Sequence, residues 1–130
     1  MRVTLMACLV ACVVLGGAGC GVAAEAGPPR AVTERFFAAL AEGRAGEACA
    51  LLARQAAEKV AEEEPCDRAL AGLGLPAGGA VREVAVWGDE AQVRMAGDTV
   101  FLHRYADGWR IRAAGCRPDP PRPYDCEVEA

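Results

Sequence analysis

Residues 83–113 read EVAVWGDEAQVRMAGDTVFLHRYADGWRIRA, and their period decides the fold. Apolar and polar residues alternate along this stretch, which is the two-residue repeat of half-buried strands. Three dipeptides interrupt it, Gly88-Asp89, Gly97-Asp98 and Asp107-Gly108. Gly, and to a lesser degree Asp, tolerates positive φ, so each dipeptide suits a two-residue hairpin. Four antiparallel strands in a meander are therefore predicted. Taking the loops literally sets Arg94 opposite Glu83 and Phe101, Gln92 opposite Ala85 and His103, and His103 opposite Arg112.

That register sorts the strands into two faces. Val84, Val86, Ala91, Val93, Met95, Val100, Leu102, Trp109, Ile111 and Ala113 share one. Glu83, Gln92, Arg94, Phe101, His103, Tyr105, Arg110 and Arg112 share the other. The apolar face needs a cover, and the preceding residues supply it. Thr33 to Ala41 carries Phe36 and Leu40 four apart with Gly43 as a stop. Glu47 to Glu63 repeats Cys49, Leu52, Ala56 and Val60 at helical spacing up to Pro65, and Cys66 to Leu73 follows as a third helical segment. Pro76 to Gly79 reads as a loop. The expected architecture is two-layer α+β, with N-terminal helices packed on one face of a curved four-stranded antiparallel meander.

The start of the chain has a different character. Arg2 precedes an uncharged apolar run, Val3 to Leu15, and Gly17, Ala18 and Gly19 lead into Cys20. This is the layout of a secretory signal, and it is too short to span a bilayer. The run resembles the bacterial lipobox, in which small residues precede a lipid-modified cysteine; Gly17 departs from it where an aliphatic residue is usual. Leu9 to Cys12 match the local pattern better but leave too short an apolar region. The expectation is a signal peptide over 1–19, lipidation at Cys20, and a tether over 20–30 rich in Ala, Gly and Pro. The mature chain is then expected on the outer surface of the cell membrane, with residues 31–130 as one domain.

Removing 19 of the 130 residues leaves 111, enough for one small domain. Export also accounts for Cys49, Cys66, Cys116 and Cys126, an even set in an oxidising compartment. Four cysteines permit three pairings. Cys49 with Cys66 and Cys116 with Cys126 are expected, because each closes a short local loop. A zinc site is the rival reading; it lacks a CxxC, and His103 lies far from these cysteines in the chain. No metal site is expected, and no cofactor is implied.

Without Arg2 the chain holds 13 basic residues against 18 acidic ones, which argues against nucleic acid as a partner. Lys59 is its one lysine, so the basic residues are nearly all arginine, as a GC-rich coding sequence produces. The acidic run Glu62, Glu63, Glu64 reads as a solvated helix end. Asp98 and Asp107 read as turn residues, Met95 as core filler, and Trp87 and Trp109 as edge and core packing.

Helices followed by an antiparallel meander resemble the NTF2-like superfamily, the cystatin-like cone of SnoaL-like polyketide cyclases and ketosteroid isomerases. A narrower resemblance runs through Val32 to Leu52 (with Phe36, Phe37, Leu40, Cys49 and Leu52), through 97–116, GDTVFLHRYADGWRIRAAGC, and through Pro123 to Val128, PYDCEV. These stretches are similar to small actinobacterial lipoproteins of unassigned function. Enzymes of the superfamily place acids, tyrosines or histidines inside the cone, where burial tunes them. The apolar face here has none, its charged members Arg82 and Arg104 falling near strand ends, so no catalytic residue is expected. The expected function is non-enzymatic binding at the cell envelope. One form of it uses Arg94, Phe101, His103, Tyr105, Arg110 and Arg112 as an aromatic and basic strip for an acidic or aromatic partner protein. The alternative is a small apolar ligand in the cone, and a cyclase-like or isomerase-like enzyme is the remaining reading. His103 on its own reads as an ordinary polar surface residue.

Overall fold

A computed structural model describes residues 20–130, with side-chain surroundings from residue 25 onward. The expected signal peptide lies outside the described residues, as does the side chain of Cys20. Within them, four helices precede five strands: α1 (Cys20–Ala41), α2 (Ala45–Ala50), α3 (Arg54–Val60), α4 (Cys66–Gly72), then β1 (Val81–Trp87), β2 (Glu90–Met95), β3 (Thr99–Tyr105), β4 (Gly108–Asp119) and β5 (Arg122–Glu129). The strands form one antiparallel sheet in the order β1-β2-β3-β4-β5. No described helix is long and apolar enough to cross a membrane.

The α+β class and both disulfides are present, and the strand count is corrected from four to five. The stretch 122–129 pairs with β4 along Ala113↔Glu129, Ala114↔Val128, Cys116↔Cys126 and Arg117↔Asp125. Its alternation was masked by prolines and charges, and its position in the ladder comes from β4 continuing past Ala113. The β1–β2 register matches the expected one, with Glu83↔Arg94 and Ala85↔Gln92. The next two ladders are shifted by two residues: Gln92 faces Phe101, Arg94 faces Thr99, and His103 faces Arg110. The reason is local. The second turn is centred on Ala96-Gly97, closed by Met95 N–H donating to Asp98 O at 2.8 Å, because the Asp98 carboxylate is committed elsewhere. The third is centred on Ala106-Asp107, with Tyr105 opposite Gly108. A slip of two leaves side-chain parity unchanged, so the faces survive it.

Helix boundaries are corrected as well. The segment expected as a tether, 20–30, is drawn into α1, which contains Pro28 and Pro29. Each proline removes a backbone donor. Pro29 is fully buried, and its carbonyl accepts a hydrogen bond from the buried Thr33 Oγ1 at 2.9 Å, so α1 packs from one turn earlier than the Phe36 and Leu40 stripe predicts. The helix expected over Glu47 to Glu63 is broken. Leu51 still has a helical backbone, Ala53 is extended, and between them Leu52 bridges to Ile111 of β4: Ile111 N–H donates to Leu51 O at 2.9 Å, and Ala53 N–H to Ile111 O at 2.7 Å. Beyond the reach of β5, these bonds satisfy backbone groups of β4 that have no other strand beside them. They also bury Leu52 at 3% exposure.

Phe36, Leu70, Val93, Val100, Leu102, Ile111 and Val128 fill the space between helices and sheet, each almost completely buried. Each such side chain contributes roughly 1.5–3 kcal/mol. Cys49–Cys66 ties α2 to the start of α4, with Cα atoms 6.2 Å apart, and Cys116–Cys126 crosses the β4–β5 ladder, with Cα atoms 4.0 Å apart. Loops of this size typically gain about 2–4 kcal/mol from closure.

One polar group organises the far end of the sheet. Asp98, 7% exposed, accepts backbone N–H bonds from Thr99 at 2.7 Å and from Gly115 and Cys116 at 2.8 Å each. Gly115 has φ +66°, a conformation that L side chains rarely adopt, so the position favours glycine, and a Cβ there would also press on Leu75 Cδ2 at 2.7 Å. Here β4 bulges against β3, the pairing moving from Phe101↔Ala113 to Thr99↔Cys116.

Burial raises the Asp98 carboxyl above its ordinary 3.8, with the three N–H donors pulling against that rise. The folded state therefore binds this proton more tightly than the unfolded chain. The contribution of Asp98 to stability falls as pH rises from 3.8 through the raised value and returns on acidification. Asp98→Asn sets an amide N–H against the three donors and is expected to cost about 1–3 kcal/mol in urea unfolding at pH 7. The gap between wild type and this non-titrating variant widens as pH is lowered towards 3.8. A gap that narrows on acidification counts against the assignment.

Candidate functional site

On the face of the sheet away from the helices, β2 contributes Glu90 and Gln92, β3 contributes Phe101, His103 and Tyr105, and β4 contributes Arg112. The alternation of β2 and β3 puts these side chains outward, while Ala91, Val93, Val100 and Leu102 point into the core. Arg112 stays on the outer side through the β4 irregularity. Ala113 is a correction: it lines the outer groove with Phe101, and Ala114 takes the inward place, because a separate irregularity, between the Leu102↔Ile111 and Phe101↔Ala113 pairs, inserts one residue into β4 ahead of the Gly115 bulge.

The residues expected as one strip are divided by their partners. His103 Nδ1 lies 2.6 Å from Glu90 Oε1, and the Arg112 guanidinium lies 3.5 Å from the same oxygen. Arg94 pairs with Glu83 at 3.3 Å, on the β1 side. Arg110 turns away, its guanidinium donating to Asp107 at 2.6 Å and to the carbonyl of Ala50 at 2.6 Å, where it caps the C-terminal end of α2. The Asp107 carboxyl is held below its ordinary value, first by that hydrogen bond from Arg110. Tyr105 sits edge-on to His103 with centroids 4.6 Å apart. The expected basic character is thereby corrected: Arg94 has a carboxylate from the adjacent strand, Arg110 one from its own turn and Arg112 one from β2 across β3, and the strip is charge-balanced and aromatic.

The centre of the face comes from a residue that strand reasoning over 83–113 did not reach. Tyr124 on β5 stacks edge-on against Phe101, centroids 5.0 Å apart, and Gln92 Nε2 donates to the Tyr124 hydroxyl at 3.1 Å. The available signal was the PYDCEV stretch combined with the Cys116–Cys126 pairing, which together place Tyr124 on a strand beside β4. Along a straight ladder this contact is out of reach. Phe101 is level with Ala113, which is level with Glu129, and Tyr124 lies five residues further along β5, about 16 Å at the usual strand rise. The β4–β5 hairpin therefore curls back over the outer face, along a β4 strand that is irregular on both sides of Ala113 and again between Arg117 and Asp119.

Between the curled hairpin and the sheet lies an open groove of about 380 Å³, floored by Phe101, Arg112 and Ala113 and walled by Pro123, Tyr124 and Glu129. It offers two aromatic rings, an amide, a guanidinium and carboxylates at its rim. Among the described residues no cluster of three or more His, Cys, Asp or Glu side chains is placed to hold a metal ion. Comparison with protein-family models, with curated protein sequences and with solved structures finds no match to this chain.

Removing the hydroxyl alone tests this contact. Tyr124→Phe keeps both rings and is expected to cost about 0.5–1.5 kcal/mol in unfolding free energy with an unchanged denaturant slope. A neutral substitution indicates that Gln92 and Tyr124 do not bond in solution.

Proposed function

We propose that this chain is a non-enzymatic binding domain, lipid-anchored through Cys20 at the outer surface of the cell membrane, that docks an aromatic or apolar segment of an envelope protein in the groove between β3 and the β4–β5 hairpin. One observation carries the reading: the Phe101–Tyr124 pair lines an open groove on the outer face, whereas the helix side of the sheet is filled by packed side chains. Aromatic rings in a partly walled groove bind by stacking and burial, and the surrounding charges, paired among themselves, confer orientation more than attraction. This favours an aromatic partner segment over an acidic one. The helices-then-meander order supports an NTF2-like domain of the kind found in small actinobacterial lipoproteins. The non-enzymatic part rests on Asp98, whose buried carboxylate is consumed by three backbone N–H groups.

A second reading has its own observation. A groove of about 490 Å³ between α1 and the 75–79 loop is lined by Phe37, Leu40, Leu75, Pro76 and Met95, a surface suited to a small apolar ligand.

Photo-crosslinking residues introduced at positions 101 and 124 in intact cells are expected to give one adduct of the same mass, with none from position 58 on the exposed side of α3. The adduct persists in a Leu40→Gln background. Adducts of equal yield from position 58, or loss of the adduct on Leu40→Gln, count against the outer groove. The anchor is read separately: intact mass from the membrane fraction starts at Cys20 plus a diacylglyceryl group, and Cys20→Ala moves the protein to the soluble fraction. An uncleaved chain with free thiols overturns the export reading.

A further inference from the structure

The two edge strands of the sheet are built differently. β5 carries Pro123 and the charged Arg122, Asp125, Glu127 and Glu129, features that keep another strand from adding to an edge. β1 carries the uncharged run Val84-Ala85-Val86-Trp87 in regular pairing with β2. Gly88-Asp89 is a two-residue hairpin loop closed by the hydrogen-bonded pair Trp87↔Glu90. Hydrogen-bonded and non-hydrogen-bonded pairs alternate along such a ladder, so Ala85 and Glu83 also bond to β2, and the N–H and C=O groups of Val84 and Val86 point to the open edge. Among the described residues no backbone group outside the strands takes up these groups. Val84 and Val86 pack towards the core yet stay half-buried, and Trp87 is 52% exposed. A row of free main-chain donors and acceptors is satisfied by another extended chain.

The side chains say which chain. Val-Ala-Val reads the same in both directions about Ala85, so an antiparallel copy related by a two-fold axis at Ala85 sets Val84 of each against Val86 of the other. The edge-facing N–H and C=O groups of both copies then meet one another, and the valines continue the apolar layer. On the outer face, Trp87 of one copy falls across from the Glu83–Arg94 pair of the other, a cation placed for an aromatic ring. The register shift between Val81 and Glu83 ends the regular edge at Arg82. Arg82 is exposed, pairs with no carboxylate among the described residues, and comes beside the other copy's Gly88-Asp89 turn, whose Asp89 side chain is also exposed. A foreign strand would meet the backbone requirement alone; this match of apolar and charged side chains belongs to a second copy.

We propose that β1 is a self-association edge, two copies pairing antiparallel about Ala85 to join their sheets into one. A two-fold contact of this kind uses up the edge on both copies, so assembly stops at the dimer. It depends on neither the outer groove nor the lipid anchor.

The test is amide hydrogen exchange over a dilution series, with sedimentation of the same samples, on the oxidised protein carrying Cys20→Ala so that no lipid contributes to association. Where about nine in ten chains are paired, the Val84 and Val86 N–H groups are expected to exchange about tenfold more slowly than at high dilution, with Ala85 unchanged. Val86→Pro removes an edge-facing donor without touching the β1–β2 ladder and is expected to abolish the dimer. Arg82→Glu, which leaves the strand backbone as it is, is expected to weaken it. Residues opposed in a non-hydrogen-bonded pair have Cα atoms about 4.5 Å apart, within disulfide reach, so Ala85→Cys is expected to give a disulfide-linked dimer and Val84→Cys is not. A protein that stays monomeric at every concentration overturns the proposal. So does a dimer in which Val84 and Val86 exchange as in the monomer, or one that Val84→Cys links as readily as Ala85→Cys.

Discussion

The Asp98 carboxylate, buried beneath the β2–β3 turn, is the interaction on which the far half of the sheet depends. It accepts N–H bonds from Thr99, Gly115 and Cys116, two of them donated by the β4 bulge, where ladder hydrogen bonding is interrupted. A buried carboxylate is costly unless hydrogen bonds meet it, and orphaned buried N–H groups are costly too; each requirement answers the other. Because Asp98 serves this purpose, the turn moves to Ala96-Gly97 and the β2–β3 ladder takes its register. The same bulge is one of three irregularities along β4, and the curl of that strand brings Tyr124 to Phe101. A turn and a register thus share one cause.

The helical half is shaped by a comparable backbone requirement. A continuous helix from Glu47 onward would leave Ile111 without partners on one side, since β5 does not extend that far. Breaking the helix at Leu51 to Ala53 gives Ile111 its two bonds and drives Leu52 into the core. Cys49 and Cys66 then hold α2 and α4 together around the break. Helical periodicity at Cys49, Leu52, Ala56 and Val60 was real, but the backbone of a strand sixty residues away decided where it stops.

Charge follows a similar logic on the outer face. Arginines at positions 94, 110 and 112 alternate with aromatics and read in sequence as a basic strip, yet cross-strand and turn neighbours supply Glu83, Asp107 and Glu90. Exposed pairs of this kind add little stability, typically 0–1 kcal/mol. Their effect here is to leave the aromatic rings as the distinctive chemistry of the face. A binding surface read from residue types alone therefore had the right aromatics and the wrong charge.

The amino-acid sequence by itself determined the two-layer class and the inward and outward sets of the first four strands, apart from Ala113 and from the start of β1, where a register shift puts Val81 against the core and leaves Arg82 exposed, and it favoured the local disulfide pairs, because alternation, turn dipeptides and loop closure are properties of neighbouring residues. It also carried Phe101, His103 and Arg112 to one face, since parity survives a two-residue slip. Only the tertiary structure decided the register beyond β2, the fifth strand, the interruption between α2 and α3, the outward place of Ala113 and the arrival of Tyr124 at the site. Each of those depends on which distant backbone group lacks a partner, and that is settled when strands far apart in the chain are brought side by side.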